Sequence, residues 1–115
     1  MEPDELVELA RPESSAVVAA RIRKAWERAL ARNGGLPNAA LLGGRLVAAC
    51  ALDTGARRAL EELGARLELT GRGVHRLLRV ARTIADLRAG AAVAVDDLAA
   101  AAALRDRALE QGTEA

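Results

Sequence analysis

The residues with the clearest chemical potential are arginines. Arg72, Arg76 and Arg79 recur at helical spacing with Thr83, and His75, Arg82 and Asp86 lie beside them. Arg72 stands between Gly71 and Gly73, just after Thr70. A hydroxyl residue in that position can cap a helix by accepting from a free amide of the first turn. The start of a helix favours anions through its free N–H groups and dipole. A guanidinium added there is a bidentate donor to phosphate at a site already prepared for negative charge. From spacing alone, a solvated arginine on a basic helix face is the simpler reading.

Other chemistries lack their parts. His75 is the single histidine, so neither a histidine-based metal site nor a Ser–His–Asp set can be assembled. Cys50, the single cysteine, sits in the apolar run LVAACAL with no identifiable base, as a small core residue would. Gly43-Gly44 has neither a preceding strand nor the GxxxxGK[ST] pattern of a phosphate loop, and reads as a backbone bend. HExxH and CxxC patterns are absent. Asp86 is a lone carboxylate, a weak magnesium ligand. Trp26 could stack on a nucleobase, but it falls on the apolar stripe of its helix, where core packing is the better reading. No residue is assigned as catalytic or metal-binding.

The element that must position the arginines is a helix over about 71–87. Val74, Leu77, Leu78, Ala81, Ile84 and Ala85 follow the i, i+3, i+4, i+7 rule and form one buried stripe. Thr70 is its expected N-cap. Gly90 is its expected close, where positive φ costs least. Before it, Ser14 or Ser15 caps a first helix to about Asn33. Val18, Ile22, Ala25, Trp26, Ala29 and Leu30 are its expected inner face, and Arg21, Lys24, Arg28 and Arg32 an outer basic row. Residues 38–51 read as two short helical pieces broken near Gly43-Gly44. Asp53 caps a helix to about Leu67, with Ala56, Ala59, Leu60, Leu63 and Leu67 turned inward. Residues 91–95 are a short apolar link. Asp96 is the expected cap of a last helix to about Glu110, with Leu98, Ala101, Ala102, Leu104 or Arg105, and Leu109 on its packing face.

The expected architecture is all-α, a bundle of about five helices. It divides into a flexible acidic lead-in (1–13), a helical domain (14–110) and a polar tail (111–115). At 115 residues the chain suits one small domain. Its 51% hydrophobic content is largely alanine, with no Phe or Tyr, so close helix–helix approach must replace bulky packing. Charged residues interrupt every apolar run before it reaches membrane-spanning length. The opening MEPDELVELARPESS has no secretory pattern. With one unpaired cysteine, this predicts a cytoplasmic setting. The net charge of +1 does not by itself signal nucleic-acid binding. The charge is polarised, with Glu2, Asp4, Glu5, Glu8 and Glu13 at the start and arginines in the central helix.

HRLLRVARTIADL (75–87), preceded by the Thr-Gly-Arg-Gly of 70–73, closely resembles the C-terminal domain of magnesium-chelatase-like AAA+ ATPases of the ComM type. Glu13-Ser14-Ser15, Arg21-Ile22, Ala25, Arg28, Arg32 and Asn38-Ala39 extend the likeness less strongly, as do Leu98, Ala101 and Arg105. Trp26, Ala29, Ala103 and Leu104 stand where the family usually has Arg, Gln, Gln and Tyr. The resemblance implies an AAA+ lid fold. It places Arg72 at the position of the sensor-2 arginine that contacts the γ-phosphate of ATP. Arg76, Arg79 and Arg82 also match, as possible phosphate or interface contacts; for Arg82 an ion pair with Asp86, at i, i+4, is the better reading. ATP and magnesium are implied for the full-length protein and not for this chain. The implied partners are an AAA+ core module of the same polypeptide, neighbouring subunits of a hexameric ring, and DNA. No membrane is implied. The resemblance therefore predicts a lid that couples nucleotide state to ring movement in DNA processing, with the P-loop on a segment absent here. Two alternatives are a non-specific DNA-binding module using Arg21/Lys24/Arg28 and Arg76/Arg79, and a stand-alone helical adaptor.

Overall fold

The computed structural model describes residues 14–114, with side chains described through residue 109; the expected acidic lead-in (1–13) lies outside that range. Five α-helices and one 3-10 turn follow in order: α1 (Ser15–Arg32), the turn (Asn38–Ala40), α2 (Gly43–Cys50), α3 (Thr54–Arg66), α4 (Gly71–Leu87) and α5 (Val95–Glu114). There is no strand among the described residues. The all-α reading therefore holds. Residues 38–51 form two helical pieces as expected, separated by extended Leu41 and Leu42, with Gly43 at φ 51° opening the second.

α4 is the hub. It packs against α5, α1, α2 and the 3-10 turn, while α3 is held mainly by α5. Leu77, Leu78, Ala81 and Ala85 of α4 meet Leu41, Leu46, Cys50, Leu63, Val93, Leu98, Ala101 and Ala102 in one continuous core. Burying one such leucine stabilises the fold by about 2 kcal/mol. The alanines let the helix axes approach closely where larger residues would hold them apart.

Helix ends follow local chemistry. Ser14 Oγ accepts from Val17 N (3.2 Å), Asp53 Oδ1 from Ala56 N (2.8 Å) and Thr70 Oγ1 from Gly73 N (3.1 Å). These are the caps the sequence predicts. α1 closes through Gly34 at φ 65°, with Gly35 N donating to Leu30 O at 2.8 Å.

Four expectations are corrected. First, the left-handed residue after α4 is Ala89 (φ 64°), not Gly90. Gly90 N donates to Ala85 O (2.7 Å) and Ala89 N to Asp86 O (3.1 Å), the paired bonds of a left-handed helix close. A Cβ at Gly90 would meet the Arg88 guanidinium, which would have to shift to make room.

Second, α5 is capped by Asp97 instead of Asp96. Asp97 reaches back to Ala94 N (2.8 Å), as the acidic third residue of a helix does, while Asp96 is exposed in the same turn. Asp97 also pairs with Arg88 at 2.6 Å.

Third, α5 runs through Glu114, past the expected end near Glu110, and Leu104 and Leu109 are half-exposed because they lie beyond the core.

Fourth, Ala25 and Ala29 alone are buried on α1; Ile22 and Trp26 remain 56% and 54% exposed. α1 packs chiefly on α4, so one narrow alanine strip meets a neighbour and the wider stripe does not. Arg28 and Arg32, expected on the outer row, share the inward face with those alanines.

A divided set of arginines: the candidate functional site

The four arginines of α4 do not form one basic face. Arg82 is fully buried, 0% exposed. Its Nη1 donates to Ala49 O (2.8 Å) and Ala91 O (3.0 Å), and its Nη2 to Gly90 O (2.6 Å). It also pairs with Asp86, one turn on, at 3.1 Å. Arg82 therefore ties α2 and the α4–α5 link to the middle of the bundle and has no surface for a phosphate. Its Nε is buried without a partner. Burial lowers its pKa from the ordinary arginine value, against the opposing charge of Asp86. Arg79 donates through Nε to Leu41 O at 3.0 Å and fixes the bend before α2.

Asp86 is the centre of this polar core, 1% exposed. Arg32 of α1 grips both its oxygens (2.6 and 3.1 Å), Asn38 Nδ2 donates to Oδ2 (2.8 Å), and Arg28 donates to its backbone oxygen (3.1 Å). Asn38 also receives Asn33 Nδ2 (2.9 Å) and donates to Thr83 Oγ1 (3.1 Å). Burial works against the charge on Asp86, but the hydrogen bonds from Arg32 and Asn38, with the charge of Arg82, outweigh it and hold the carboxyl below its usual pKa. The carboxylate thus stays ionised while connecting three elements. Next to it, Cys50 is buried with its thiol toward Leu78 O (3.8 Å). Burial pushes that thiol's pKa up despite the nearby Arg82 and Arg32, so a reactive thiolate is disfavoured.

Arg72 and Arg76 are the contrasting pair. Both are exposed on the first half of α4, and neither has a hydrogen bond or ion pair among the described residues. They line a groove of about 560 Å³ between the start of α4 and the far half of α5. Its floor is apolar, from Val80, Ala101, Leu104, Ala108 and Leu109, and Arg105 completes its rim. None of the lining residues is acidic. Arg105 was legible as a packing candidate, at helical spacing from Leu98 and Ala101, and as a position in the family likeness; no local signal joins it to α4. Arg32 and Asn38 as partners of Asp86 were likewise invisible, because each is more than forty residues away in the chain.

No helix among the described residues is long and apolar enough to cross a membrane, and no group of three or more His, Cys, Asp or Glu among them could hold a metal ion.

The described residues form a small all-α bundle built on a capped central helix, with exposed arginines at that helix's start. The chain matches the family model described as magnesium chelatase, subunit ChlI C-terminal, over residues 12–105, and it belongs to that family. A comparison with curated proteins finds no match. Family membership implies the helical lid of an AAA+ protein, associated with an AAA+ core of the same polypeptide. The chain itself carries no P-loop pattern.

Proposed function

We propose that this chain is the nucleotide-sensing lid of a magnesium-chelatase-like AAA+ ATPase of the ComM type. In this reading Arg72 contacts the γ-phosphate of ATP held by a P-loop module outside this chain, and the bundle passes nucleotide state to a hexameric ring engaged in DNA processing. The observation that carries it is the division of labour along α4. Arg79 and Arg82 are used inside the fold, whereas Arg72 and Arg76 are left exposed and without a partner among the described residues. Arg72 lies in the first turn, next to the cap that Thr70 makes on Gly73 N. The helix dipole there adds to the guanidinium in attracting a phosphoryl group as charge develops on it. ATP and magnesium enter with the absent module, and no residue here is assigned to the metal.

The mechanical part follows from packing. A phosphate drawn to Arg72 acts on α4, and α4 is tied through Asp86 and Arg82 to α1, the 3-10 turn and α2. The bundle then moves as a body instead of bending locally, which suits a hinged lid.

The test begins with the size of the natural polypeptide, probed in source cells with an antibody to this chain. A band several-fold larger than 12.0 kDa is expected. In that polypeptide Arg72→Ala should lower ATP turnover by roughly tenfold or more, given what transition-state arginines contribute. Unchanged turnover would remove the sensor-2 assignment, and a band at 12.0 kDa would favour the stand-alone adaptor. Of the residues in the DNA-binding alternative, Arg28 and Arg79 each donate one hydrogen bond inward.

A further inference from the structure

The groove beside Arg72 extends well past that residue. Arg76 and Val80 continue its α4 wall, and Ala101, Leu104, Arg105 and Ala108 belong to the wall on α5. Val80 is 40% and Leu104 50% exposed, both in one trough with three guanidinium groups on its rim and no carboxylate among its lining residues. Arg76 has no hydrogen bond or ion pair among the described residues. Arg105 pairs at 3.6 Å with the exposed Asp106 next to it, a contact worth little in water. The charge and the apolar floor together call for an occupant that is apolar along its middle and anionic along its edges.

Nucleic acid meets that demand poorly. No aromatic residue lines the trough for a base to stack on, and a phosphate backbone would leave Val80 and Leu104 in water. Thr70, the one uncharged polar side chain of the lining, is already spent on capping α4. An amphipathic helix meets both demands, with apolar residues at i, i+3, i+4 and i+7 on one side and carboxylates beside them. From Arg72 to Val80 the α4 wall is about 12 Å long at ~1.5 Å per residue, enough for two turns of such a helix. The family match ends at residue 105, so Ala108 and the rest of the far half of α5 lie outside the pattern the family shares. A wall built partly from residues outside that pattern suits a partner protein better than the AAA+ core common to the family.

We propose that the α4–α5 groove seats an acidic amphipathic helix of a partner protein. Its apolar side chains pack between Val80 and Leu104, and its carboxylates face Arg76 and Arg105. Arg72 is not required, so the inference stands apart from the phosphate contact proposed above. The ionic part of the contact is screened by salt, while the apolar part is not.

The test uses amide NMR spectra of the whole chain and a defined probe. The probe is a capped peptide of about fourteen residues, roughly four turns, with leucine at i, i+3, i+4 and i+7 and glutamate elsewhere. At about 1 mM, the range of a weak complex, it should shift the amides of residues 72–80 and 101–109 and leave those of residues 15–30 in place. Arg76→Glu/Arg105→Glu should weaken binding roughly tenfold or more. The same double variant should bind the counterpart peptide, with lysine for glutamate, more tightly than the unaltered chain does, a gain that an unfolded variant could not show. Arg72→Ala should keep the affinity for the glutamate peptide within about twofold. ATP turnover in the full polypeptide therefore tests Arg72, and peptide binding tests this groove. Equal binding by a scrambled peptide of the same composition would overturn the proposal, as would shifts centred on Ile22 and Trp26. So would shifts of the groove amides on concentrating the chain alone, tighter binding of ADP or a thymidine oligonucleotide at those amides, or no shift at all.

Discussion

A single carboxylate, Asp86, takes charge-assisted or polar hydrogen bonds from α1 and the 3-10 turn and pairs with Arg82 on its own helix. A buried pair of this kind is costly to break, because removing one partner strands the other charge. Asp86→Asn should therefore destabilise the fold by about 3 kcal/mol at neutral pH, read by urea unfolding. The pH dependence has a definite sign. Since the folded carboxyl is held below its unfolded value, its contribution is fully present above the unfolded pKa of about 4. It is lost as pH falls through the lower folded value. Stability of the unaltered chain should drop steeply below pH ~4, and the Asn variant should lose much of that dependence. Equal acid sensitivity in the two chains would contradict the role given to Asp86.

At the scale of elements, the two adjacent acids opening α5 offer a sharp comparison. Asp97 accepts from Ala94 N and grips Arg88, whereas Asp96 is exposed. Asp97→Ala should cost about 1 kcal/mol from the lost cap alone, while Asp96→Ala should change stability by less than about 0.5 kcal/mol. Chemical denaturation of the two variants measures both. The same link shows how one contact shapes another. Arg88 reaches Asp97 across Gly90, so Gly90→Ala must displace the guanidinium and lower the melting temperature. Conserving the melting temperature would mean that Arg88 has another route to Asp97.

For the whole molecule, the outer position of α1 sets what remains on the surface. Val18, Ile22 and Trp26 are exposed at i, i+4 and i+8, because only the alanine strip beside them meets α4. Trp26 fluorescence should be readily quenched by iodide, and Trp26→Ala should change stability by less than about 0.5 kcal/mol, unlike removal of a core aromatic. Strong protection from quencher would show the stripe covered in solution. The chain alone should hydrolyse no ATP, since free arginines can stabilise a phosphoryl group but cannot supply the phosphate cradle and metal site. Turnover by purified chain that disappears in Arg72→Ala would contradict this.

Much of this organisation is local and could be read directly from the chain. Helical spacing places Leu77, Leu78, Ala81 and Ala85 on one face of α4, and the short side chains of Ser14, Asp53 and Thr70 bond amides three residues away. Both depend on neighbours within one turn, so sequence order is sufficient. The Arg82–Asp86 pair is legible for the same reason, being one turn apart. What lies beyond one turn had to wait for the tertiary structure. An apolar stripe shows which side of α1 could be buried, but how much of it is buried depends on the width of the neighbouring helix, and Trp26 falls outside that width. The sorting of similar arginines into structural and exposed is decided by which backbone oxygens and carboxylates arrive from elsewhere in the chain. Arg32 meets Asp86 and Arg79 meets Leu41 O, whereas no partner among the described residues reaches Arg72. The side chain's identity sets what bond it can make; only the packed fold determines whether an acceptor is there.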